Sequence, residues 1–368
     1  MNRVTLGDVC KKASSNIAQK DLNGNEGEYP IYGASGYIKT VDFYHQEEPY
    51  IAIVKDGAGI GRTMLLPAKS SVIGTMQYIL LKEDKNVDLD YLYYAIVHMN
   101  LGKYFSGATI PHIYFKDYQK EPLNLPDMHE QQQIASIFKK IDALISGRKE
   151  QIEHLDELVK SRFIELFSGK KYNYVKVSDV CDFITKGTTP KSDEIFEEYE
   201  AGRIPYLKVY NLSLTGDLLF DDAPQYINAS THEEKLARSK VYPNDVLMNI
   251  VGPPLGKFAL VTNEFEEWNI NQAIAIFRAR EKVIPRFLMA ALMQPDVLQP
   301  FLQQAVGIRQ LNLSLEQCRN LEIPLPPIEL QQQFAAFVTQ VDKSKLAVQQ
   351  GLQELETLKK SLMQQYFG

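Results

Sequence analysis

The sequence predicts an α+β protein: two mixed α/β domains, each with a β-rich face, separated by two long antiparallel coiled-coil helices, arranged as an internal pseudo-twofold repeat. Three observations lead there. The second half of the chain repeats the first. Each copy ends in a long proline-free stretch with apolar residues at heptad spacing. Before each stretch lie short β-type runs broken by glycine and proline.

The repeat is read by register. Val4-Thr5-Leu6-Gly7-Asp8-Val9-Cys10 is echoed by Val175-Lys176-Val177-Ser178-Asp179-Val180-Cys181, 171 residues later. Gly57-x-x-x-Gly61-Arg62 is echoed by Gly252-x-x-x-Gly256-Lys257 at an offset of 195, and Gln77 by Gln272 at the same offset. From there on the offset is 200: Gly107 matches Gly307, Leu125-Pro126 matches Leu325-Pro326, and Gln131 to Gln133 match Gln331 to Gln333. The second copy therefore carries insertions, all before its helical tail. The domains divide as 1–127, a first spacer helix 128–169, a second domain 170–327 and a second spacer helix 328–368.

The tails are read as helices over Glu130–Leu166 and Leu330–Tyr366. The first seam holds Ile134, Phe138, Ile141, Ile145, Ile152, Leu155, Val159 and Leu166, interrupted by Arg148 and Arg162. The second holds Phe334, Val338, Val341, Val348, Leu352, Leu355, Leu362 and Tyr366, interrupted by Lys345 and Lys359. The interruptions do not coincide, so two antiparallel helices of one chain can pair with each charged side chain reaching solvent past the partner's apolar stem. The alternative is that each helix packs on its own domain or on another protein. Each helix would be about 55 Å long, against roughly 34 Å for one turn of DNA.

Within the domains, Tyr50–Val54, Met64–Leu66 and Gln77–Leu81 read as strands in copy one. Tyr206–Val209, Asp245–Val251, Phe258–Val261 and Ala273–Phe277 read as strands in copy two, and short helices are read at Asp90–Met99 in copy one and Pro285–Met293 in copy two. The glycine segments are hairpin turns. Asp56-Gly-Ala-Gly-Ile-Gly61 has the wrong spacing for a dinucleotide loop. Gly252-Pro-Pro-Leu-Gly256-Lys257 is one residue short of a phosphate-binding loop and lacks its Ser/Thr. Glycines at such a tip would also let backbone N–H groups approach phosphates.

Net charge is −6, and no segment is basic: residues 1–127 carry −2, 128–169 carry −1, 170–327 carry −3 and 328–368 carry 0. Bulk electrostatics gives no support to nucleic-acid binding. Local chemistry does offer candidates, because Gln and Asn suit adenine, Arg and Lys suit guanine and phosphate. In copy one these are Lys39, Gly59, Gly61, Arg62, Thr75, Gln77, Thr109 and His112. In copy two they are Lys186, Thr188, Lys208, Asn211, Gly256, Lys257, Asn271, Gln272, Arg309, Gln310 and Asn312. For any one of them the ordinary reading is a surface or turn-stabilising polar group.

Catalytic signatures are absent from the sequence. The Pro-Pro pairs at Pro253-Pro254 and Pro326-Pro327 do not fit an adenine methyltransferase motif, and the six histidines show no metal spacing. Cys10, Cys181 and Cys318 form no Cys-x-x-Cys pair; Cys10 and Cys181 occupy equivalent places in the repeat and read as packing positions. No apolar run is long enough to span a bilayer and the N-terminus lacks the apolar stretch of a secretory signal, so a cytoplasmic protein without membrane contact is expected.

Two variable domains, each closed by Leu125-Pro126 with Gln131–Ala135 or Leu325-Pro326-Pro327 with Gln331–Ala335 and a long helix, resemble the specificity subunit family of Type I restriction–modification systems. Gly107 with Thr109, Gly307 with Arg309, Ile204-Pro205-Tyr206-Leu207 and Gly187-Thr188-Thr189-Pro190 add to the resemblance. Copy one departs from it at Asp127-Met128-His129 and has no Gly-Thr-Thr-Pro counterpart. The resemblance implies two target-recognition domains that read a bipartite double-stranded DNA sequence, with a spacer set by the helices. It also implies a subunit without catalysis or cofactor of its own. S-adenosylmethionine would sit on two methyltransferase subunits, and ATP and magnesium on partner subunits that include endonuclease/translocase subunits. A coiled-coil scaffold whose two β-rich domains bind proteins is the alternative, and an enzyme of another class is a third reading.

Overall fold

The computed structural model describes residues 2–83, 85–107, 111–307 and 311–368. The chain divides into two compact units, Met1–Gln151 with Val348–Gly368, and Ile152–Ala347, so each long helix contributes to both.

The first unit is built on a four-stranded antiparallel sheet in the order Cys10–Ser14, Met76–Leu81, Tyr50–Val54, Thr63–Leu66. Tyr50–Val54 is buried along its whole length because both faces of the sheet are covered. Alternation still decides which core each residue joins. Ile51, Ile53 and Ile79 pack with Leu92, Ile96 and Phe138, under the helix Leu89–Met99. Tyr50, Ala52, Val54 and Tyr78 pack with Leu66 and Val72 on the other face. A smaller sheet, Gly36–Val41, Tyr29–Gly33 and Ser71–Val72, adjoins this side.

The second unit repeats the plan. Its four strands run in the same order, Cys181–Lys186, Ile274–Ala279, Val246–Asn249, Phe258–Leu260. Val246, Met248 and Phe277 face one core with Phe287, while Leu247, Ala259 and Ile276 face the other with Trp268. The three-stranded sheet is replaced by five strands, Ile195–Phe196, Tyr226–Asn228, Arg203–Leu207, Trp268–Ile270 and Lys240–Val241. Most of the added residues of the second copy are spent there.

Strand pairing corrects one register. Val54 lies opposite Met76, and its counterpart Asn249 lies opposite Ile274. Gln77 therefore corresponds to Ala275, and Gln272 to Gly74; the 195-residue match of the two glutamines is a coincidence of sequence. The offset of 200 also begins later than the sequence suggests, because Leu89–Met99 corresponds to Pro285–Leu292.

The long helices run over Met128–Phe167 and Ile328–Phe367. In the first unit, Phe138 meets Tyr366 and Phe367, Asp142 pairs with Lys359, and Lys149 pairs with Glu356. In the second, Asp156 pairs with Lys345 and Phe163 packs on Phe334. Rising numbers on one helix meet falling numbers on the other, so the contacts run antiparallel within each unit. Ile134, Phe138, Ile141, Leu166, Phe334, Val338, Val341 and Val348 are buried; Ile145, Ile152, Leu155, Val159, Leu352, Leu355, Leu362 and Tyr366 are half-buried.

The charged interruptions differ from expectation at Lys345. It does not reach solvent: it is 7% exposed and donates to Asp156 Oδ1 at 2.7 Å and Asp217 Oδ2 at 2.9 Å. Burial alone would pull its pKa down, and the two carboxylates outweigh burial and leave it raised. Arg162 lies over the ring of Phe337, and of the four interruptions only Arg148 is exposed.

The start of each long helix is locked by a glutamine. Gln131 Oε1 accepts from the Asp88 N–H at 2.8 Å, and its Nε2 donates to the carbonyls of Pro126 and Asn86. Gln331 repeats this with Ile284 N–H at 2.9 Å and the carbonyls of Pro326 and Lys282. The repeated Leu-Pro and Gln residues are thus a folding device. Copy one's departure at Asp127 is a helix cap, its Oδ1 accepting from the Glu130 N–H at 2.9 Å. Gln331→Ala is expected to lower stability by about 1–3 kcal/mol, since it leaves buried backbone groups unpaired. Gln332→Ala, on an exposed neighbour, should be neutral in the same urea melt; equal effects would refute the lock.

Candidate nucleic-acid interface

In the first unit three segments meet at one end of the four-stranded sheet. Residues 55–62 turn back from Tyr50–Val54 into Thr63–Leu66, closed by Gly61 N–H on the Val54 carbonyl at 2.8 Å. Lys55 and Asp56 N–H both donate to the Thr75 carbonyl, and Gly57 N–H donates to the Pro111 carbonyl. Ser106 and His112 exchange backbone bonds of 2.8 and 2.9 Å. The second unit assembles the same way. Ile250 N–H donates to the Ala273 carbonyl, Gly252 N–H to Leu311, and Val306 and Asn312 exchange bonds of 3.1 and 2.9 Å. Gly57, Gly61, Gly252 and Gly256 all hold φ between +79° and +89°, a region that favours glycine. Both glycine segments are hairpins between strands, as the sequence indicates.

The side chains at these ends are only partly those predicted. Arg62 is exposed, and its Nη1 donates to the Ala34 carbonyl at 2.7 Å; its guanidinium lies over Gly59, within ordinary contact distance of where a Cβ would stand. Thr75 is exposed, next to Lys55 and Asp56, whose N–H groups bond its carbonyl. The His112 imidazole bonds the Asp56 carboxylate, and its ring lies 4.1 Å from that of half-exposed Tyr114. In the second unit, Lys186 ends its strand and Gly187 N–H bonds the Ile274 carbonyl. Gly187 passes so close to the Asn271 carbonyl that no larger residue would fit. Asn271 N–H bonds the Leu207 carbonyl, which brings Lys208 alongside, and Gln272 is exposed. Thr188 Oγ1 accepts from Arg238 Nη2 at 3.2 Å. Lys257 and exposed Asn312 complete the end.

Several candidates are corrected by burial. Gln77 is 3% exposed and donates to the Tyr118 hydroxyl, so its amide is spent inside the core. Asn211 is fully buried, accepts from the Lys208 N–H at 2.9 Å and donates to the Leu219 carbonyl, which makes it a turn residue. Gly61 faces the Leu101-Gly102 backbone, and buried Gly256 faces Leu298 and Leu302, so the close approach each permits is to protein. Lys39 donates to the Leu22 carbonyl at 3.3 Å, and no described bond links it to the glycine loop. Thr109, Arg309 and Gln310 lie outside the described residues.

Sequence reading missed two residues here. Buried Asn249 donates to the Pro254 carbonyl and accepts from the Lys257 N–H at 2.7 Å, which holds the second glycine loop in shape. Arg238 lies in the segment that has no counterpart in copy one, so repeat matching had nothing to align it with.

The other reactive groups are accounted for by packing. Cys10, Cys181 and Cys318 are buried, and burial pushes each thiol up to about 12. Among the described residues, His232, Glu233 and Glu267 bring three possible metal-ligand atoms within 4.8 Å of one another. The Lys240 ammonium bonds Glu233 at 2.5 Å and lies 3.5 Å from Glu267. It occupies the cation's place among these carboxylates. No described helix is long and apolar enough to cross a membrane.

Comparison with known proteins agrees with this architecture. The Type I restriction modification DNA specificity domain family matches residues 1–154 and 169–357. The MjaVIII specificity subunit of a type I restriction enzyme, from Methanocaldococcus jannaschii, is 24% identical over 98% of this chain and 90% of its own length. The EcoBI specificity subunit from Escherichia coli is 25% identical over 71% of this chain and 61% of its own length. In fold, the chain is similar to the S subunit of a Type-I restriction-modification system from M. genitalium. That likeness covers 100% of this chain and 96% of the other, with 17% identity and a TM-score of 0.62. A chain from the type I R-M system, solved to explain complex assembly and conformational transition, gives 0.55 at 16% identity over 100% and 97%. With its family matched across both halves of the sequence, this chain belongs to the Type I restriction modification DNA specificity family, the specificity-subunit family that its repeated motifs resemble.

Proposed function

We propose that this chain is the DNA-reading subunit of a Type I restriction–modification complex and reads a bipartite double-stranded target, one half per domain. The observation that carries the reading is the repetition of one construction. In each unit a glycine hairpin, the segment before the last central strand, and residues 105–107 with 111–113, or 305–307 with 311–313, meet at the same end of the same sheet. That end presents Arg62, Thr75 and His112 in one unit and Lys186, Thr188, Lys208, Lys257, Gln272 and Asn312 in the other. Such groups suit phosphates and base edges. The chain carries no catalysis of its own. Two methyltransferase subunits with S-adenosylmethionine modify adenine, and endonuclease/translocase subunits with ATP and magnesium cleave. The work is done in the cytoplasm. Those partners supply the general attraction for DNA that a chain of net charge −6 lacks, and linking two weak readers raises affinity through effective concentration. The two forty-residue helices act as a coiled-coil spacer between the half-sites.

The test is a methylation map of host DNA after co-expression with the neighbouring methyltransferase. The expected result is a two-part adenine-methylated motif with a fixed gap, lost when this chain is omitted. Removing one heptad from each long helix should change the gap and leave both halves intact. Methylation that is unchanged without this chain would sink the reading in favour of a protein-binding scaffold. An unchanged gap would sink the spacer.

A further inference from the structure

We infer that the two domains divide the ionic work unequally: the second unit holds most of this chain's contact with DNA phosphates, and the first reads with little of it. The inference rests on the DNA-reading proposal. Its observation is the different state of the cations at the two equivalent sheet ends.

In the first unit the loop carries its own carboxylate. Asp56 lies 3.5 Å from Lys55 Nζ and also takes the His112 imidazole, so two potential phosphate ligands share one internal anion. Arg62 enters no ion pair among the described residues: its guanidinium bonds the neutral Ala34 carbonyl, so of this loop's two basic residues it is the one left for a phosphate. In the second unit the corresponding loop has Val251 where the first has Asp56, and Ile250 where the first has Lys55. Lys186, Lys208 and Lys257 enter no ion pair among the described residues, and Arg238 is bonded only to the Thr188 hydroxyl.

Topology gathers these four cations. Lys186 lies opposite Ala275, next to Ile274, at one strand end, and Asn249 lies opposite Ile274. Asn249 N–H bonds the Lys257 carbonyl, which puts Lys257 in that same end row. Lys208 follows Leu207, whose carbonyl takes the Asn271 N–H, and Arg238 reaches Thr188 two residues beyond Lys186. A cation already paired with a carboxylate releases few counterions on meeting DNA, whereas an unpaired one adds to the salt dependence, by about 0.9 in slope per phosphate neutralised.

The experiment uses the full chain in complex with its methyltransferase, a duplex carrying the mapped target and a scrambled duplex, titrated across salt. One variant combines Lys186→Gln, Lys208→Gln and Lys257→Gln; another combines Lys55→Gln and Arg62→Gln. The triple variant should flatten the plot of log affinity against log salt by roughly 2.7 and the double variant by only about 1, nearly all of it from Arg62. Equal flattening by the two, or none from the triple, overturns the division. If the wild-type complex binds both duplexes equally, base reading fails. The slopes on the scrambled duplex still decide where the phosphates are held.

Discussion

Phe138→Ala is expected to be among the most damaging single changes in the first unit, at about 3–5 kcal/mol for a fully buried phenylalanine. Its ring is inaccessible and touches Tyr94 at 5.0 Å, Phe367 at 5.7 Å and Tyr366 at 6.1 Å between centroids. It joins the first long helix, the end of the second and the helix Leu89–Met99 in one core. The rings around it move as rigid blocks and would fill the vacated space poorly. Hydrogen exchange should show faster opening over residues 89–99, 128–151 and 348–367, with the second unit's sheet unchanged. The half-buried seam residue Ile145, replaced by alanine, should cost clearly less. Equal costs would mean that the seam is uniformly loaded and that this aromatic cluster has no special weight.

Gly61→Ala should be the second large effect, and Gly57→Ala is its control. Both residues have φ near +80°, where alanine is strained by about 1–2 kcal/mol. At Gly57 an added methyl group would point into open space, whereas a Cβ on Gly61 would lie 2.3 Å from the Gly102 nitrogen and 2.8 Å from its Cα. Both obstacles are backbone, so the loop or the segment after the Leu89–Met99 helix must shift, adding overpacking of about 1–3 kcal/mol. Melting of the two variants separates strain from collision. The methylation assay should show Gly61→Ala weakening recognition at one half of the target, since residues 55–62 no longer meet Thr75 and Pro111. Indistinguishable melting curves would remove the packing argument for this glycine.

The sequence alone determined the repeat, the two long helices, most central strands and the family resemblance. Each rests on local patterning that burial enforces: period two along strands, heptad spacing along helices, glycine where φ is positive. It did not determine which polar residues are free. Gln77 and Gln272 look alike in the sequence, yet one is sealed against Tyr118 and the other is exposed. Gln131 and Gln331 read as part of a helix-start motif, and only the fold shows each amide closing the same three backbone bonds. Lys345 reads as a cation bound for solvent, and the fold buries it between two aspartates, one of them in a distant loop. A polar side chain's role depends on partners that are far away in sequence, whereas an apolar side chain needs only the right face. That is why architecture was legible along the chain, and the division of polar groups between core and interface was decided by tertiary structure.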